Sequence, residues 1–224
     1  MQDVLIAGAS RGLGLELAVQ YAAEGWHVIA GCRHPEEARG WLPAGVDVQA
    51  LDVMRAESVA ALAWHCDDVP LPLLVISAGL AGPAAQRFLA PGDAEFDAVM
   101  RTNVLGAMRL IQAVAPAVAQ ARGRIVVLSS ELGSLRATAD ASLPLYRMAC
   151  AAVNMVVRMA AAEFGPLGVT VASVHPGSVR TDMGGAEAEL PVGEAVERLR
   201  RLIETLEVRH NGQFLSIDGR TLDW

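Results

Sequence analysis

A chain of 224 residues, 53% hydrophobic, with a mean hydropathy of +0.34 and a net charge of −7, is long enough to bury one full α/β core and is not composed like a disordered segment. It has no basic run to neutralise phosphates, which argues against nucleic acid as a partner. Its three scattered cysteines, Cys32, Cys66 and Cys150, lack metal-ligand spacing, so neither a metal site nor a disulfide is expected and reduced thiols point to the cytoplasm.

Met1-Gln2-Asp3 leads into a short apolar run that breaks at Gly8, with no basic region and no cleavage site, so no secretory signal is expected. No uncharged stretch free of Pro and Gly reaches the length of a membrane span, so no membrane partner is expected either. All 18 basic residues are arginine and none is lysine, a bias that codon usage alone would produce.

Val4-Leu5-Ile6-Ala7 reads as a strand ending in Gly8-Ala9-Ser10-Arg11-Gly12-Leu13-Gly14, after which Leu15, Leu17, Ala18, Tyr21 and Ala22 repeat at helical spacing. Such a strand, glycine turn and helix let backbone N–H groups and the positive helix end meet a pyrophosphate. A second strand, Trp26 to Ala30, ends at Gly31-Cys32-Arg33, where a dinucleotide-binding unit meets the adenosine ribose. An acid there would suit a free 2′-hydroxyl. Arg33, with Arg11 in the turn, instead favours a 2′-phosphate and hence NADP(H) over NAD(H), unless both are plain surface arginines.

Val46 to Leu51 reads as a third strand closed by Asp52 and Val53; the Asp52 carboxylate either takes the adenine amino group or caps the helix beginning near Arg55. Leu73-Leu74-Val75-Ile76, apolar on both faces, reads as a central parallel strand, ending at Ser77-Ala78-Gly79 where small residues leave room for a ligand. A long helix is predicted over 94–120, bent or divided at Pro116. Asn103 within it is either a surface amide or a side chain locked to backbone or water beside a site.

A fifth strand, 124–129, leads to Ser130-Glu131-Leu132-Gly133 and an irregular loop. The helix predicted over 146–164 brings Tyr146 and Cys150 onto one face, and a buried phenol needs a partner, for which Ser130 is the candidate. Its polar positions are only Arg147, Asn154, Arg158 and Glu163, so it should be buried on more than its sheet side, which predicts a homodimer or homotetramer through paired helices. A sixth strand, 169–175, runs into Pro176-Gly177-Ser178-Val179-Arg180-Thr181, a turn at the carboxyl edge where such sheets bind ligands. An amphipathic helix over 192–207 and the segment 214–217 close the chain. Strands alternate with helices throughout, without linker or repeat.

Together these residues resemble the short-chain dehydrogenase/reductase family over essentially the whole chain. The glycine turn is similar to the family's Thr-Gly-x-x-x-Gly-x-Gly with Ala7 for the Thr. Ser77-Ala78-Gly79 stands at its Asn-x-Ala-Gly, and Asn103, Ser130, Tyr146 and the Pro176-Gly177 to Thr181 turn match its remaining motifs. Tyr146-Arg147-Met148, Asn154-Met155, the stretch 175–185 and the tail ending in Trp224 look like the branch holding the bacterial C-factor and Sniffer-type carbonyl reductases. The resemblance implies a Rossmann-type, doubly wound parallel sheet of about seven strands with helices on both faces. It implies one dinucleotide-binding domain over 1–224, with substrate loops at 79–95, 131–145 and 178–195. It further implies reduction of a small carbonyl compound to the alcohol, with Tyr146 as proton donor, Ser130 holding the carbonyl and Asn103 supporting a relay water.

The departure is Cys150, where the family's Tyr-x-x-x-Lys places an ammonium that by resemblance holds the ribose hydroxyls and lowers the tyrosine pKa. A thiol does neither, and Arg147 lies about 100° away around the helix. The alternative is therefore a cofactor-binding protein with little or no hydride transfer, acting in signalling. Cys150 as a nucleophile is the weaker reading, since a helix-buried thiol is usually an inert small hydrophobe. Leu80, Leu132, Leu135, Leu143 and Met183 form either an apolar substrate wall or ordinary core.

Overall fold

The apolar runs become strands because each is covered on both faces. The computed structural model describes residues 2–67, 69–85 and 87–224; Met1, and Gln86 in the expected loop 79–95, lie outside the described residues. Seven strands form one parallel sheet: β1 (Asp3–Ala7), β2 (His27–Cys32), β3 (Asp47–Ala50), β4 (Leu73–Ile76), β5 (Arg124–Leu128), β6 (Thr170–His175) and β7 (Phe214–Ser216). Their order is β3-β2-β1-β4-β5-β6-β7, so the direction of winding reverses beside β1 and β4, where ligands sit in such sheets.

Side chains alternate between two cores. Val4 and Ile6 face the helices α1 (Gly12–Ala23), α2 (Pro35–Ala38) and α7 (Val192–Thr205). Leu5 and Ala7 face α3 (Ala56–His65), α5 (Gly106–Gln120) and α6 (Pro144–Phe164). The α6 residues Val153, Val156 and Val157 are buried on the second face, each contributing roughly 1.5–3 kcal/mol by leaving water. By length and composition alone α6 is apolar enough to cross a membrane, but here it packs on β6 and α5.

Of the bend or division predicted at Pro116, the division is not there. Pro116 lies inside a continuous α5, while the division falls earlier: α4 (Asp93–Met100) passes through a wider π-helical turn, Arg101–Leu105, into α5. Asn103 sits in that turn with both amide groups bound to Leu80: its Oδ1 accepts from the Leu80 N–H at 2.8 Å and its Nδ2 donates to the Leu80 carbonyl at 2.8 Å. The π-turn thus coincides with a contact made 23 residues away, of the kind found at functional sites. Of the two readings of Asn103, the one locked to backbone holds.

Candidate active site

The carboxyl ends of β1 to β6 and the loops leaving them enclose a cleft of ≈ 520 Å³. Its floor at one end is the glycine turn. Gly8 has φ +91°, and a Cβ there would lie 2.7 Å from the Ala78 nitrogen; a Cβ on Gly14 would lie 2.1 Å from the Gly8 carbonyl oxygen. Side chains at these places would fill the approach or push α1 off the strand. The first turn of α1 has no side-chain cap and no acid, so its free N–H groups remain available to an anion. The residues present therefore fit a pyrophosphate.

Ser10, Arg11, Gly12 and Leu13 line this end, as do Arg33, Asp52, Val53, Ser77, Ala78 and Gly79. Gly14 does not face the cleft and acts through packing alone. Arg33 is exposed at the end of β2, and Arg11 reaches Asp182 at 3.8 Å, which ties the glycine turn to the loop after β6. Pro176, Gly177, Val179 and Thr181 of that loop line the opposite wall. Asp52 does not cap α3: its Oδ1 accepts from the Met54 N–H at 3.0 Å, and Arg55, without a capping side chain, precedes the helix.

At the other end Ser130, Tyr146, Cys150 and Asn103 all border the same cleft. Ser130 caps the short 3-10 turn Glu131–Gly133, its Oγ accepting from the Leu132 N–H at 3.2 Å. The expected bond between Ser130 and the phenol is absent among the described residues. The Tyr146 phenol instead has the Cys150 thiol as its neighbour one helical turn on, near enough for each to affect the other's titration. Helical spacing explains the change, because residues four apart on α6 are neighbours wherever the loop places Ser130.

Burial, with the neighbouring Cys150 a smaller cause, holds the Tyr146 pKa above its usual value of about 10, and burial pushes the Cys150 thiol up to about 11. Both are neutral at pH 7. The phenol is a proton donor there, and the thiol is neither a cation nor a nucleophile. Gly133 packs against Cys150, since a Cβ on it would lie 2.7 Å from the Cys150 Cβ, while the side chain of residue 150 itself opens on the cleft.

Leu80, Leu132, Leu143 and Met183 form the apolar wall, but Leu135 does not: it is 78% exposed beyond the turn, where the chain heads outward and the Arg136 N–H bonds the Trp224 carbonyl. Among the wall residues that escape sequence reasoning are Glu131 and His175. The His175 Nε2 lies 3.8 Å from a Glu131 carboxylate oxygen, and burial lowers the basicity of the ring against the opposing pull of Glu131. Their only signal is position, directly after Ser130 and directly before Pro176-Gly177. Asn154, expected as a polar position, is 98% buried under α6 instead, with neither amide atom partnered among the described residues.

Known proteins share this fold. Residues 2–190 match the family described as short chain dehydrogenase. The chain is 36% identical to the C-signal protein of Myxococcus xanthus over 159 residues, 69% of this chain and 93% of that one. It superposes on the carbonyl reductase Sniffer of D. melanogaster with a TM-score of 0.93 at 27% identity, both chains covered fully. Against the NADPH-bound carbonyl reductase from chicken fatty liver the TM-score is 0.91 at 26% identity, covering 100% of this chain and 94% of that one.

Proposed function

The chain belongs to the short-chain dehydrogenase/reductase family and is an oxidoreductase of it; from that premise we propose an NADP(H)-dependent carbonyl reductase, acting on aldehydes, ketones or quinones. The unit spans 1–224 with substrate loops at 79–95, 131–145 and 178–195. The observation that carries the reading is the Tyr146 phenol, held neutral by burial in the cleft that also holds Ser130. NADP(H) rather than NAD(H) is supported by Arg33 and Arg11 at the nucleotide end, and by the NADPH held by the chicken reductase.

When bound, the reduced nicotinamide supplies the hydride that reaches the carbonyl carbon. Tyr146 gives its phenolic proton to the carbonyl oxygen as the negative charge gathers there, and later regains one from water. Because the Ser130 Oγ already accepts from Leu132, its own proton is free to donate to the same oxygen. Asn103 holds the Leu80 loop in place, and through it one edge of the apolar wall. The neutral Cys150 contributes no charge, so the phenol stays protonated at neutral pH, present as proton donor and scarcely present as the phenolate base. Reduction is thereby favoured over oxidation at neutral pH.

A second reading, cofactor binding with little or no turnover, is favoured by one specific observation, Cys150 where the family has its ammonium. NADPH consumption with a quinone and a small carbonyl panel separates the two, run on the natural protein and on Cys150→Lys. Turnover by the natural protein is the expected result; turnover only after the substitution would sink the reductase reading. We also propose a homodimer or homotetramer through the faces of α4 to α6, where Phe96, Leu105, Met108, Met148, Met155 and Met159 stand exposed; a monomer in light scattering refutes it.

A further inference from the structure

The two ends of the cleft differ in charge. The nucleotide end carries Arg33, the Asp52 carboxylate and the pair formed by Arg11 and Asp182, so acids and bases balance there. Past Ser130 the wall is made by Leu80, Leu132, Leu143 and Met183, with one formal charge set among them, Glu131. Its side chain is 61% exposed, and among the described residues its one basic neighbour is His175, 3.8 Å away and too far for a hydrogen bond. Burial keeps that imidazole in its neutral form at pH 7, so the carboxylate has no counter-charge.

Nor is Glu131 needed to build its own turn. The Leu132 N–H of the 3-10 segment is already capped by the Ser130 hydroxyl, and no hydrogen bond of ordinary geometry engages the Glu131 carboxylate among the described residues. The residue next along the chain from the carbonyl-orienting serine thus presents a bare negative charge to a largely apolar space. The side chain is more than half exposed and water screens it in part, but a substrate that fills the apolar space displaces that water and then feels the charge.

Resting on the reductase reading above, we propose that Glu131 sets substrate charge: the cleft takes apolar carbonyl compounds that are neutral, or that bear a cationic or hydrogen-bond-donating group near the carbonyl, and rejects those bearing a carboxylate or phosphate there. The shape of the wall selects apolar bulk and Glu131 selects its charge. Acidic metabolites with a carbonyl beside an anion are poor substrates by this account. Amino-bearing and hydroxyl-bearing aldehydes or ketones are good ones.

The test uses benzaldehydes of similar size carrying 4-carboxylate, 4-isopropyl or 4-trimethylammonio groups, with NADPH, on the full chain and on Glu131→Gln and Glu131→Arg, each checked for fold by circular dichroism. Comparing ratios between variants cancels the electronic effect of each substituent on the carbonyl. The ratio of kcat/KM for the cationic over the anionic aldehyde is expected to fall about tenfold or more in Glu131→Gln and to fall further in Glu131→Arg, mainly through KM. An unchanged ratio in both variants overturns the proposal. The corresponding benzyl alcohols are titrated by calorimetry into the NADP-bound protein in parallel. Absence of any turnover then defeats the reductase reading alone, while the charge preference in binding, present or absent, still decides the role of Glu131.

Discussion

The glycine turn and the Tyr146–Cys150 turn stand at opposite ends of one cleft and tolerate change very differently. At the first, function is carried by backbone: Gly8 and Gly14 leave less than 3 Å to their neighbours, so the geometry that admits a phosphate is also the geometry that lets β1, β4 and α1 pack. At the second, function is carried by side chains that border the cleft, the part-buried Tyr146 and the buried Cys150, which the backbone of α6 holds whatever their chemistry. Residue 150 carries a side chain that borders the cleft, whereas residue 14 has no room for one. Binding and chemistry are therefore separable in this chain, and the separation can be tested from either side.

The largest effect is expected from Tyr146→Phe, which removes the proton donor but keeps the ring. Carbonyl reduction should fall by about 10²–10⁴-fold while NADPH affinity, read by fluorescence titration, stays near that of the natural protein. A parallel loss of affinity would show that the two ends are coupled. Next comes the pH profile. With the phenol pKa raised by burial, reduction, which needs the protonated form, should hold steady from neutral pH to beyond pH 10. Oxidation, which needs the phenolate, should climb with pH over that range. Cys150→Lys places a cation beside the phenol and should lower its pKa by about one to three units, moving the reduction break down by that amount and raising oxidation at pH 7. An unmoved break would mean that the new ammonium does not face Tyr146.

Arg33→Ala should weaken NADPH by about tenfold while changing NADH little, a loss of one exposed charged contact. Equal loss for both would return Arg33 to an ordinary surface role. The smallest effect is on acid stability. His175 is held in its neutral form, with a folded pKa below the unfolded 6.5, so the unfolded chain binds the extra proton and stability falls as pH drops through 6.5 towards the folded value. His175→Gln should shallow that slope in urea melts between pH 7 and 5; an identical slope would assign the acid sensitivity to other groups.

Sequence reasoning reached most of the residues that line the glycine-turn end of the cleft, because glycines that must be glycine and strands buried on both faces leave strong local patterns. It reached the identities at the reaction end but not their pairing. Ser130 seemed the natural partner of a phenol, yet its hydroxyl turns to the Leu132 N–H, a bond two residues away that no composition rule announces. Pro116 is a local breaker and drew attention, while the actual interruption at Arg101–Leu105 goes with a contact between Asn103 and Leu80 that only the fold creates. Glu131 in a loop reads as a solvated charge. Its place on the wall becomes visible only once the 3-10 turn and β6 lie side by side.

The absence of lysine from the sequence has a practical corollary at position 150. A Cys150→Lys protein would carry a single side-chain amine, set beside the phenol and opening on the cleft. Reductive methylation with carbon-13 formaldehyde would label that amine and any free α-amino group, giving a nearly empty NMR spectrum with one resonance from inside the site. Its shift against pH would follow the new ammonium directly, and its response to added nucleotide would report occupancy without a turnover assay.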